Sequence, residues 1–129
     1  MSDSTAIPTQ ELIDRYIAVW NEPSDDLRHK AISELWSEDG IYVSAQADFR
    51  GYDAIEAAVK EAHEQFVGRG YVFKSSNNIT GHHNTVRFNW VMVPVGGDEV
   101  EAIGFDFLIL AEDGRIVADY QYIDRPPAF

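Results

Sequence analysis

The sequence predicts a single α+β domain in which three N-terminal helices pack on a curved, mainly antiparallel sheet. Three observations predict it. Apolar residues recur at helical spacing in the first half of the chain. They alternate with polar residues in much of the second half. Gly-centred turns separate those later runs, so the strands follow one another as a meander while the helices come early. A length of 129 residues suits one domain, so we read 1–129 as a single unit with its ordered core at about 9–124.

The first helix is expected to begin near Thr9, an N-cap after Pro8, with Leu12, Ile13, Tyr16, Ile17, Val19 and Trp20 recurring at helical spacing. Asn21-Glu22-Pro23 stops it, and Ser2 to Thr5 before it reads as a frayed terminus. Ser24 caps the second helix, with Asp25 and Asp26 in its first turn and Leu27, Ala31, Leu35 and Trp36 as its apolar face. Asp39-Gly40 should end that helix, and Ile41-Tyr42-Val43 reads as a short strand. Gly51 opens a third helix carrying the stripe Ile55, Val59, Ala62 and Phe66, broken by Gly68 and Gly70. Strands then follow at Tyr71–Lys74, Thr85–Val93, Val100–Leu110 and Ile116–Ile123, the last stopped by Arg125-Pro126-Pro127. In the second of these, Val86, Phe88, Trp90 and Met92 alternate with Arg87 and Asn89.

A formal net charge of −12 with no Lys/Arg cluster sets the chain against nucleic acid and anionic membranes as partners. The absence of cysteine excludes disulfides, thiolate nucleophiles and Cys-based metal sites. No apolar run approaches a bilayer span, and Met1 to Gln10 lacks the apolar core of a signal peptide. A cytoplasmic protein is expected. Gly68-Arg69-Gly70 and Gly96-Gly97 lack the flanks of phosphate-binding loops, and adjacent strand residues such as His82 and His83 would face opposite ways rather than share a metal. No cofactor is called for. His29 and His63 read as solvated helix positions.

Four stretches resemble the SnoaL-like branch of the nuclear transport factor 2-like superfamily: Arg15 to Asn21, Leu35 to Tyr42, Phe49 to Ile55, and Asp113 to Val117. The resemblance implies a cone-shaped α+β barrel, a homodimer formed through the outer sheet face, and a pocket at the wide end of the cone. Its enzymes include ketosteroid isomerases, polyketide cyclases, dehydratases and epoxide hydrolases, which mostly work without a cofactor.

Asp106 lies within the apolar run Ile103 to Leu110, where an inward carboxylate loses its hydration and its pKa rises. The resemblance sets Tyr16 and Asp106 at the positions where ketosteroid isomerases hold an oxyanion. Ser44 falls where that enzyme's base would stand, and serine alone cannot take a carbon-bound proton at neutral pH. Gln121 falls where the resemblance places a cyclase acid–base Asp, and Asp119 is one inward step earlier. Asp119 either substitutes for it or points outward to pair with Arg87 or Arg115. Trp20, Trp36, Tyr42, Phe66, Phe88, Trp90 and Met92 are read as core or as the lining of an apolar pocket. Three functions stay open: an acid–base enzyme on a small apolar or oxygenated molecule, using Tyr16, Asp106 and Asp119; a non-catalytic binder of such a molecule; and a dimeric interaction module.

Overall fold

A computed structural model describes residues 9–128; Ser2 to Thr5 and Pro8 lie outside them. Among the described residues, the order is α1 (Thr9–Asn21), α2 (Asp25–Leu35), β1 (Trp36–Val43), β2 (Asp48–Arg50), α3 (Tyr52–Gln65), a 3-10 turn (Val67–Arg69), β3 (Tyr71–Ser75), β4 (Thr80–His82), β5 (Thr85–Pro94), β6 (Ala102–Leu110) and β7 (Ile116–Arg125). The strands form one curved sheet in the order β2-β1-β7-β6-β5-β3, with β4 also paired to β5. Among the described residues, only β1 and β7 run parallel; the other pairs are antiparallel. The sheet is mixed and does not close. The expected barrel is therefore an open cone with β2 and β3 at its edges.

The three helices cover the concave face. Leu12, Ile13, Tyr16, Val19 and Trp20 of α1 are buried, as are Ile55, Ala58 and Val59 of α3. Asn21 does more than end α1. Its side chain donates to the Phe73 carbonyl and accepts from the Phe73 amide, both at 2.9 Å, which ties the helix to β3.

The second helix departs from its expected face. Ser24 caps it as read, its Oγ accepting from the Leu27 amide at 3.2 Å. Leu27 itself is 56% exposed, and Arg28 is buried with Ile32 and Leu35. The guanidinium is tolerated inside because each of its three nitrogens is hydrogen-bonded. It donates to the carbonyls of Glu22 (3.0 and 3.2 Å) and Pro23 (3.3 Å) and pairs with Asp25 at 2.8 Å. Periodicity could not see this, because the carbonyls that Arg28 meets belong to the turn between helices.

The step out of α2 also differs. Asp39-Gly40 is not a helix-ending turn; the chain is already extended at Trp36 and runs as β1 to Val43. A register shift between Trp36 and Ile41 against β7 absorbs the extra residues. Gly40 sits at this irregularity, where a Cβ would lie 2.9 Å from the Ile116 carbonyl oxygen. Two short strands, β2 and β4, were not read from the sequence, since three residues carry too little pattern.

Candidate functional site

The inner face of the sheet is set by register. Phe88 faces Asp106 across β5–β6, and Asp106 faces Gln121 across β6–β7. Leu108 faces Asp119, and Tyr42 of β1 faces Asp119 from the other side. Because side chains alternate along a strand, Asp106, Asp119, Gln121 and Tyr42 all project toward the helices. Tyr16 descends from α1 to meet them.

Asp106 and Asp119 are 1% and 0% exposed. The Tyr16 Oη lies 2.8 Å from Asp106 Oδ2 and 2.6 Å from Asp119 Oδ2. The Trp90 indole N–H donates to Asp106 Oδ1 at 2.9 Å. This contact depends on Gly104, since a Cβ there would stand 2.3 Å from Trp90 Cζ2. The missing side chain lets the indole lie flat over β6. The Tyr42 hydroxyl donates to Gln121 Oε1. Asp119 Oδ1 is buried without a hydrogen-bond partner among the described residues.

Asp119 does not point outward to Arg87 or Arg115. It is the second carboxyl of a buried cluster, because β7 keeps it on the same face as Gln121. Burial raises its pKa well above the usual carboxylate range, and the neighbouring Asp106 adds to the rise. Burial also raises the Asp106 pKa, while hydrogen bonds from Asp119, Tyr16 and Trp90 pull it back. Tyr16 and Tyr42 are pushed well above the ordinary phenol range, by burial first and then by both carboxyls.

Beside this cluster lies a cavity of about 470 Å³. Of the residues expected around a pocket, Tyr16, Trp20, Tyr42, Ser44, Phe66, Trp90, Met92, Asp106 and Gln121 line it. Trp36 and Phe88 do not; both are 0% exposed. They pack behind Tyr16, with ring centroids 5.7 and 5.2 Å from it, and so buttress the phenol from the core side. Asp119 does not line the cavity either and reaches it through Tyr16 and Asp106.

The sequence reading missed Phe49 and Phe73 in the wall and Gln46, Glu61 and Gln65 among the lining residues. Phe49 sits on the unread strand β2 and stacks on Tyr42 at 5.7 Å. Pro126 and Pro127 also border the cavity, because Arg125 donates to the Val100 carbonyl and the Ala128 amide to Glu101. No sequence pattern signals that return of the chain end.

His29 is exposed as expected and His83 lies in a turn before the strand at Thr85, while other features of the histidines depart from expectation. His83 lies outside β4 with φ 54°, so the His82 and His83 rings meet rather than face apart, their Nδ1 atoms 3.1 Å from each other. Among the described residues, no three His, Cys, Asp or Glu side chains gather as a metal-binding group. His29 pairs with Glu56 at 2.8 Å, which raises its pKa. His63 is not simply solvated: its Nε2 is buried without a partner among the described residues, and burial, then Arg28, lowers its pKa. Among the described residues, no helix is long and apolar enough to cross a membrane.

A family model for the SnoaL-like domain matches residues 13–118. Solved structures agree. A candidate isomerase of the SnoaL-like family from Agrobacterium tumefaciens is 30% identical over 90% of this chain and 97% of its own, with a TM-score of 0.82. A nuclear transport factor 2-like protein with a cystatin-like fold from Novosphingobium aromaticivorans is 25% identical over 92% of this chain and 80% of its own, at 0.66. A candidate polyketide cyclase from Sinorhizobium meliloti, 15% identical over 95% of this chain and all of its own, shares the fold at 0.68. No protein of curated function matches. The chain belongs to the SnoaL-like family, within the nuclear transport factor 2-like fold.

Proposed function

We propose that this chain takes a small, largely apolar, oxygenated molecule into its cavity and moves a proton on it without a cofactor, with Asp106 as the acid–base group. One observation carries the reading: a desolvated carboxyl lies at the floor of an aromatic-lined cavity and is coupled to a second carboxyl through a single phenol. A raised carboxyl pKa brings proton donation and acceptance closer to neutral pH. Tyr16 and Asp119 are positioning residues that set the charge of Asp106. Ser44 and Gln121 also line the cavity but cannot transfer protons at neutral pH. The candidate isomerase among the structural relatives fits this class of chemistry.

The test is deuterium uptake. A panel of cyclic hydroxyketones is incubated with the protein in D2O, and NMR follows exchange beside the carbonyl. Exchange that wild type accelerates and Asp106→Asn does not is the expected result. Binding without exchange would favour the second reading, a non-catalytic binder, which the Ser and Gln at the family's proton-transfer positions support. Neither binding nor exchange would defeat both. A homodimer through the outer sheet face is a further part of the proposal. Phe105 and Tyr122 stack there at 4.8 Å, Arg87 lies over Phe105, and Tyr122 is exposed. Light scattering should give twice the 14.6 kDa chain mass.

A further inference from the structure

The polar group that the cavity receives follows from counting hydrogens at its floor. Three strong donors meet Asp106, Asp119 and Gln121 there, and all are committed to protein acceptors; the indole N–H of Trp20, farther along the lining, is buried and has no acceptor among the described residues. The Trp90 N–H serves Asp106 Oδ1, and the Tyr42 hydroxyl serves Gln121 Oε1. The Tyr16 hydroxyl has one hydrogen but two carboxyl oxygens within 2.8 Å. One of those contacts must therefore use a proton carried by an acid. Asp106 receives donors at both oxygens, whereas Asp119 Oδ1 has none. An unpartnered buried oxygen is far less costly on a neutral acid than on a carboxylate. The proton thus sits on Asp119 and the charge on Asp106.

Asp106 still has acceptor capacity, since a carboxylate offers about four lone-pair sites. Its cross-strand neighbour Gln121 is the complement. With Oε1 engaged by Tyr42, the Gln121 amide nitrogen keeps its hydrogens for the cavity and has no acceptor among the described residues. The floor presents an acceptor and a donor side by side.

We propose that the ligand carries a hydroxyl, as an alcohol or an enol, that donates to Asp106 and accepts from Gln121. A ketone or epoxide oxygen can only accept, and an ammonium group can only donate. Each would leave one desolvated group unpaired. This rests on the cavity being a ligand site, and it names the chemistry of what enters.

The experiment compares 2-decalol with 2-decalone, one skeleton with two oxygen types, by calorimetric titration of wild type, Asp106→Asn and Gln121→Leu. Wild type should bind the alcohol about 10- to 100-fold tighter, the usual consequence of leaving a buried polar group unmatched. Asp106→Asn supplies a donor in place of the charge and should erase or reverse the preference. Gln121→Leu removes the donor that either oxygen would accept from, so it should weaken both compounds while the alcohol, still donating to Asp106, stays the tighter; it covers the case in which the Asp106 variant does not fold. Equal or tighter ketone binding by wild type would overturn the hydroxyl proposal while leaving the cavity reading intact. An alcohol preference unchanged in Asp106→Asn, or affinities unchanged in Gln121→Leu, would also overturn it. Binding of neither compound would remove the ligand site and the proposal together.

Discussion

Replacing Asp119 by Asn keeps the side chain's shape and removes one titrating proton from the buried cluster. Asp119 holds its proton to a higher pH in the native state than in the unfolded chain, because burial and the adjacent Asp106 both oppose its ionisation. Above the unfolded carboxylate pKa the native state therefore binds more protons than the unfolded one. Its stabilising contribution is complete below that pKa and is lost as pH rises toward the native value. Within this window one proton costs about 1.4 kcal/mol of stability for each pH unit. The wild-type unfolding free energy should fall by about that much more per unit than that of Asp119→Asn. Urea unfolding at half-unit steps upward from pH 4.5 measures both slopes, and their difference removes contributions from the other acidic groups. Parallel lines would refute the reasoning, because Asp119 would then ionise alike in both states.

Other expectations follow from the same geometry. Tyr16→Phe removes the hydroxyl between two carboxyls and leaves buried oxygens short of a donor; a loss of about 1–3 kcal/mol is expected in denaturant unfolding. Gly104→Ala places a methyl against the Trp90 ring, so about 1–3 kcal/mol should be lost and the tryptophan emission should shift as the indole leaves Asp106. Arg28→Met removes the charged donors to the Glu22 and Pro23 carbonyls and should cost about 1.5–3 kcal/mol. Leu27→Ala one residue earlier, at an exposed site, should change stability by less than about 0.5 kcal/mol in the same assay.

The sequence by itself determined the class of fold and the inward face of its longest strands. Val86, Phe88, Trp90 and Met92 alternate with polar residues, and a period of two leaves them one face to bury. The helix stripes of α1 and α3 were legible in the same way, and so was Asp106 as a site candidate, since a carboxylate inside an apolar strand stands out in any register; Tyr16 stood out only through the family resemblance. Other features were decided only when distant segments met. Trp36 begins a strand rather than ending a helix because β7 offers it a parallel partner 80 residues away. Arg28 goes inside because the turn before α2 turns its carbonyls toward it. Asp119 joins Asp106 because the β6–β7 register sets it beside Leu108, and a slip of one residue would have sent it to solvent. Trp36 and Phe88 became supports of Tyr16 rather than cavity walls for the same reason. Periodicity tells which side chains turn inward, but only the pairing of strands decides which of them share a hydrogen.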